Sequence, residues 1–390
     1  MSFERQKTFV PVGVDGKGSM EEDATNPESV EEYILNSSAA AMLLLQIAKE
    51  NKEGFADPNL LIFDLDGTII ASDLHKVIHG SYPETVTTEE TMANIHKERK
   101  AKWIPLIMNT ARIESGDTFK SMPADRMIPT PDVAIGGMGL GIFWTQRDGT
   151  LVYDKEYDAF MREQKITYKE NGVEKTETYN NKTVHAQLHK TLQEYMDPYF
   201  VGMSNASSGE DTTEGIGGGM IRYEVKGMPY ESAEKLAKAI EEKISGVRVS
   251  FCEKDGFFAH GGGNKSEWFS GYVYVFPKTG GKDEAAKYVI RKLSDALQIF
   301  TKNKNHKIIA NIVGDGPNDI EMLTMEARPN DPFTINRFLV NNALPYTQKK
   351  INERIQTLDP EGEKKMKLSV VGTADYGILQ ILQGIGEQKS

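Results

Sequence analysis

The strongest constraint on this chain is a set of short, uninterrupted apolar runs that stop at polar or acidic residues. "NLLIFD" (59–64) is the first, and "WIPLIMNT" (103–110), "DVAIGGMG" (132–139), "KIIANIVGD" (307–315) and "FTINRFLV" (333–340) follow. Runs apolar at every position predict strands buried on both faces, as in a parallel sheet covered by helices. The stretches 87–102 and 283–302 read as crossover helices. The fold class is therefore α/β, with a Rossmann-like parallel sheet.

Residues 151–275 follow another pattern. "KITYKENGVEKTETY" (165–179) alternates about Asn171-Gly172, a hairpin signal. A helix (184–196), a strand (220–225), a second helix (230–244) and two strands (247–251 and 268–276) come next. This predicts an α+β unit inserted between the third and fourth strands of the main sheet. The organisation expected is an N-terminal extension with one helix (1–56), a first core part (57–150), the insert (151–275) and a second core part (276–390). Two Gly/Ser-rich stretches, 204–219 and 260–266, read as loops. The apolar face of the helix expected at 28–50 is assigned to the body of the protein. Were a homodimer to form, that helix or the insert would supply its surface.

Two carboxylates close the first run. Alternate strand residues share a face, so Asp64 and Asp66 point the same way, at the C-terminal edge where open α/β sheets bind ligands. "IVGDGPNDIEML" (312–323) brings a second acidic group: Asp315 at a strand end, then Asn318 and Asp319. Converging carboxylates repel unless a cation lies among them. Mg²⁺ suits such a set, because it takes hard oxygen ligands and bridges to phosphate.

DLDGT (64–68) and GDGPND (314–319) resemble the first and last motifs of haloacid-dehalogenase-superfamily phosphatases. "IMNTAR" supplies the expected hydroxyl, Thr110, and "GGKDEAAKYVI" the expected lysine, Lys282. Their order and spacing are similar to the branch with a C2-type cap, and within it to sucrose-phosphate-phosphatase-like enzymes. The resemblance covers about residues 59–390 and implies a role for each residue. Asp64 would be the nucleophile that forms an aspartyl-phosphate. Asp66 would be the general acid and base. Mg²⁺ would be held by Asp64, Asp315 and the Asp66 backbone carbonyl, with Asn318 and Asp319 completing or supporting the site. Thr110 and Lys282 would hold phosphoryl oxygens.

The function implied is hydrolysis of a phosphorylated sugar, sucrose 6-phosphate or a related glycoside. The alternatives are a sugar phosphomutase of the phosphomannomutase type and a regulatory binding protein on the same scaffold. The extension, the hairpin and the 204–219 loop depart from the simplest members, and "NTAR" stands where Thr-Gly-Arg is commoner. Of the cap residues available to a sugar (Tyr223, Trp268, His260 and Asn264), Tyr223 and Trp268 are assigned to strand core. His185 and His189, four apart on a helix, lack a third ligand and read as surface residues.

Composition excludes other classes. The net charge of −11 disfavours nucleic acid as a partner. The single cysteine, Cys252, forms no intrachain disulfide and fits a reducing compartment. The start "MSFERQKTFV" is unlike a signal peptide, and "AAAMLLLQIA" is too short to span a bilayer. The expectation is a soluble, cytoplasmic protein with no membrane partner.

Overall fold

The computed structural model describes residues 40, 57–66, 68–69, 89–112, 130–146, 149–205, 219–253, 268–303, 306–362, 364 and 366–385. In chain order the elements are β1 (Asn59–Phe63), α1 (Glu89–Ala101), β2 (Leu106–Asn109), β3 (Val133–Gly136), β4 (Gly141–Thr145), β5 (Leu151–Tyr153) and α2 (Lys155–Arg162). The inserted unit holds β6 (Lys165–Glu170), β7 (Val173–Thr178), α3 (Asn181–Met196), β8 (Phe200–Asn205), β9 (Ile221–Pro229), α4 (Tyr230–Lys243), β10 (Ile244–Ser245), β11 (Val247–Glu253) and β12 (Trp268–Pro277). The chain then returns through α5 (Lys282–Thr301), β13 (Ile308–Gly314), a 3-10 turn (Pro317–Asp319), α6 (Ile320–Leu323), β14 (Phe333–Val340), α7 (Pro345–Leu358), β15 (Leu368–Val371) and α8 (Ala374–Gly384).

One eight-stranded sheet runs β15-β14-β13-β1-β2-β3-β4-β5. Its first six strands are parallel. The apolar runs explain the layering. Leu60 and Ile62 of β1 join Ile107, Val133 and Ile312 in a cluster under α5. Leu61 and Phe63 join Leu106, Met108 and Val313 in a second cluster, with Met92 and Ile95 of α1 and Ile378 and Leu382 of α8. Successive side chains enter opposite layers, which is why no position in the run is polar. Ala40 is helical and buried in the first cluster; the rest of the N-terminal extension lies outside the described residues.

The third run differs from expectation. β3 stops at Gly136, and positive φ at Gly137, Met138 and Gly139 turns the chain back into antiparallel β4 and then β5. The main sheet therefore reaches Tyr153. Tyr157 and Met161 of α2 also pack in the main cluster, so the insert begins after Arg162 and not at 151.

The insert has two sheets, β10-β6-β7 and β11-β12-β9-β8. Its hairpin is a two-residue turn with φ of 51° at Asn171 and 80° at Gly172, the turn that Asn-Gly favours. Val249, Val273, Val275, Ile221 and Tyr223 form one face of the larger sheet and pack with Leu188 of α3 and Leu236 of α4. Strand alternation and register put Ser250, Cys252, Tyr272, Tyr274, Arg222 and Glu224 on the opposite face. Among the described residues no helix is long and apolar enough to cross a membrane.

Candidate active site

Parallel register brings the motif ends together. Phe63 pairs with Val313 on one side and Met108 on the other, so the chain leaves β1, β13 and β2 at one level. The Asp64 N–H still bonds the Val313 carbonyl at 3.2 Å. Asp64, Asp315 and Asp319 each offer an oxygen within 4.8 Å of the others. Lys282 enters this group from the start of α5, fully buried. Its Nζ donates to Asp64 Oδ1 at 2.6 Å and to Asp319 Oδ1 at 2.7 Å.

The supporting contacts are specific. Thr68 is buried and donates its hydroxyl to Asp315 Oδ1 at 2.6 Å. Asp319 Oδ2 accepts the backbone N–H groups of Asp315 (3.0 Å) and Gly316 (3.1 Å), which shapes the loop around it. A Cβ on Gly314 would come within 2.6 Å of the Asp319 carboxylate, so that position admits no side chain. Asn318 is buried in the same turn, with its Oδ1 only 2.4 Å from where a Gly316 Cβ would stand. Thr110 closes β2; its hydroxyl oxygen accepts the Arg112 N–H at 3.2 Å, and the hydroxyl proton remains for another acceptor.

Lys282 is aimed by its backbone. Asn109 Nδ2 donates to the Lys282 carbonyl at 2.8 Å. Gly281 has φ of 120°, a region that favours glycine, and a Cβ there would meet Arg248 Nη1 at 2.4 Å. The β3–β4 turn presses on the same point: a Cβ on Gly139 would lie 2.2 Å from the Gly281 carbonyl oxygen. Arg248 of β11 donates to the Gly280 carbonyl (3.1 Å) and to Asp283 (2.7 Å), tying the cap to the start of α5.

Asp66 stands apart from the cluster. Its half-exposed carboxylate takes both Arg112 Nε and Nη2, each at 2.6 Å. The Asp66 side chain is thus not among the grouped carboxylates, and only its backbone carbonyl is left for the ligand role the sequence suggested. Arg112 and Thr68 had no role in the sequence reading. The Arg of "NTAR" and the Thr of "DLDGT" were the signals for them.

The electrostatics are lopsided. Burial, reinforced by Asp319, pushes the Asp64 carboxyl up to about 7 even with Lys282 beside it. Asp315 is also pushed well above its usual range, by burial first and then by Asp64. Lys282 is held above its ordinary value because the two carboxylates outweigh its own desolvation. Three ionised carboxylates against one ammonium leave an excess of about two negative charges, which a divalent cation would offset. Among the described residues, no protein donor holds Asp64 Oδ2 or Asp315 Oδ2. Hard oxygens, this charge and the open Asp315 Oδ2 fit Mg²⁺.

A pH prediction follows. In the folded state Asp64 binds its proton up to about pH 7, against about 3.8 when unfolded. The folded state therefore holds more protons in that window, and stability without metal falls as pH rises through it. With a chelator, the melting temperature of Asp64→Asn should gain on that of the wild type between about pH 4 and 7, and Mg²⁺ should erase the gain. A difference independent of pH would contradict this picture.

The cap sheet covers this site. The Cys252 thiol is pushed up by burial and then by the Asp64 carboxylate, so β11 brings the only cysteine to the acidic group. Arg222 lies over the Tyr272 ring, 4.5 Å from its centroid, on the same face. Tyr223 is buried on the opposite face, and its hydroxyl meets His185 Nδ1 at 2.9 Å. That agrees with the core assignment of Tyr223. Trp268 is 44% exposed, which corrects its assignment to core: it begins β12 opposite Pro229. His260 and Asn264 lie outside the described residues. Among the described residues, the three aspartates are the one acidic or histidine group arranged for a metal, and His185 with His189 is not another.

Residues 57–213 match the family model described as Sucrose-6F-phosphate phosphohydrolase. The match spans less than half of the 390 residues and is a likeness over that segment. The matched segment carries the Asp64–Asp66 motif, Thr110 and the first part of the cap. No curated protein matches the chain. Among solved structures, it is similar to the sucrose-phosphatase of Synechocystis sp. PCC6803 in complex with sucrose and phosphate, at 16% identity. That alignment covers 84% of this chain and 98% of the other, with a TM-score of 0.47. A sugar phosphatase of haloacid dehalogenase subclass IIB aligns at 16% identity over 84% and 99% of the two chains, TM-score 0.41. A haloacid dehalogenase-like hydrolase from B. subtilis aligns at 16% identity over 83% and 99%, TM-score 0.41.

Proposed function

We propose that this chain is a phosphatase of the haloacid dehalogenase type that hydrolyses a phosphorylated sugar, with Mg²⁺, through a phosphoryl group carried on Asp64. The single observation that carries this reading is the Lys282 ammonium shared between Asp64 and Asp319, with Asp315 alongside. Lys282 leaves Asp64 Oδ2 as the atom for attack on phosphorus. A P–O bond forms at Oδ2 and the ester P–O bond breaks. Asp66 gives its proton to the departing sugar oxygen, then takes one from the water that cleaves the aspartyl-phosphate. Thr110 and Lys282 bind the phosphoryl oxygens as charge moves onto them. When bound, Mg²⁺ neutralises the carboxylates and polarises the phosphoryl group. Asp64 and Asp315 would hold it, with Asp319 and Asn318 fixing the loop.

Arg112 orients Asp66 for both proton transfers. Arg112→Ala is expected to lower kcat by about 100-fold, the lower end of general acid–base help, with little change in KM. Arg112→Lys should recover only part, because an ammonium lacks the two-pronged geometry. A variant with wild-type kcat would remove this role.

The substrate is best matched by sucrose 6-phosphate or a related phosphorylated glycoside, whose sugar is the leaving group. The match of residues 57–213 to a sucrose-phosphate phosphohydrolase model and the polar cap face support it. The test is phosphate release from a panel of disaccharide, glycosyl-glycerate and hexose phosphates with Mg²⁺. A marked preference for one glycoside phosphate is the expected result. Transfer of phosphate between hexose positions without release would point to a mutase instead. A folded protein inert to the panel would favour the regulatory binding protein.

A further inference from the structure

A cleft of about 450 Å³ lies between cap and core, lined by Pro317, Ile320 and Glu321 and not by Asp64, Asp315 or Lys282. Its size falls within the range of small-molecule sites. The cap wall is Glu234 of α4 with Val249, Ser250 and Phe251 of β11; the core wall is the Pro317–Glu321 turn and α7. The walls are locked together. Tyr346 of α7 stacks on Tyr230 of α4 with centroids 3.6 Å apart and rings 10° from parallel. Glu234 accepts from the Tyr346 hydroxyl at 2.8 Å and pairs with Lys350 at 2.8 Å.

We propose that this cleft is a second binding site, for a small neutral polyhydroxylated molecule such as a sugar or polyol. Its charges argue for that class. Lys350 pairs with Glu234 and approaches Glu353 at 3.4 Å, and Arg354 pairs with Glu321 at 3.2 Å. The wall thus holds three carboxylates against two cations, which disfavours phosphate and other anions. The paired carboxylates keep spare lone pairs for ligand hydroxyls. Ser250 supplies the second observation. It is 5% exposed, it lines the cleft, and its hydroxyl has no partner among the described residues. A buried hydroxyl left unpaired destabilises the fold, and a ligand hydroxyl would remove that cost. Phe251 and the braced Tyr346 ring give the apolar surface that the C–H face of a sugar needs. Because the walls belong to both cap and core, an occupant holds the two together.

This site goes beyond the phosphatase reading, and its test needs no turnover, so the failure of either is told apart. The full chain is titrated calorimetrically with sucrose and, separately, with trehalose and inorganic phosphate. Saturable binding of a disaccharide is expected in the wild type and in Asp64→Asn. It should weaken about tenfold in Ser250→Ala, the loss expected of one hydrogen bond, and at least as much in Arg354→Ala. Ser250→Ala removes an unpartnered hydroxyl, so it carries the test if Arg354→Ala fails to fold. No saturable binding of either sugar, binding unchanged in Ser250→Ala, or binding lost in Asp64→Asn would each overturn the proposal. Phosphate bound in place of the sugars would overturn the class.

Discussion

Lys282→Ala should lose both stability and turnover. Lys282 is the buried ammonium among Asp64, Asp315 and Asp319, and it touches two of them directly. Removing one partner of a buried ionic group strands the charges left behind, at about 3–5 kcal/mol. The denaturant midpoint in chelator should fall accordingly. Mg²⁺ should restore part of it, since a cation then returns among the carboxylates. Turnover should fall by about 10²–10³, the usual loss on removing one donor to developing charge. Lys282→Met separates packing from charge: it fills the space of the stem, so a Met variant as unstable as Ala would assign the loss to charge. A variant with an unchanged midpoint would show that the cluster does not depend on this lysine.

Asp64→Asn is the converse. It deletes the oxygen proposed to attack phosphorus while keeping shape, so activity should fall on the order of 10⁴-fold or more. Stability should hold or rise in the absence of metal. The substitution removes a negative charge from a group with an excess of negative charge, and burial already pushes the Asp64 carboxyl towards its protonated form. The two variants thus move activity in one direction and stability in opposite directions. A substitution at Asp64 that destabilised the protein as strongly as one at Lys282 would break that symmetry and the charge account with it.

The central strands were legible because burial on both faces leaves no polar position: Leu60–Phe63 feed two clusters in alternation. Asn171-Gly172 was legible because few other pairs accept two positive φ values in succession. Asp64, Asp315, Asp319 and Lys282 were legible as motif residues, and parallel register then brings them together. The β4–β5 extension was not, because "VAIGGMGLGIFWT" reads as one apolar stretch until Gly137–Gly139 reverse it. That error also set the start of the cap too early. β8 escaped because "FVGMSN" is a short edge strand whose pairing with β9 supplies the signal. Arg112 and Thr68 were missed for a different reason. Their partners, Asp66 and Asp315, lie 46 and 247 positions away, and such pairs follow from register, not from local pattern. Trp268 looked like core because strand residues usually are, but it starts β12 at an open end.

The proposed aspartyl-phosphate is tested by a rapid acid quench of the protein incubated with an aryl phosphate and Mg²⁺, followed by peptide mass analysis. The expected result is the mass of one phosphoryl group on the peptide containing Asp64, localised to Asp64 and absent in Asp64→Asn. A phosphoryl group on any other residue, or steady turnover with none on the protein, would contradict it.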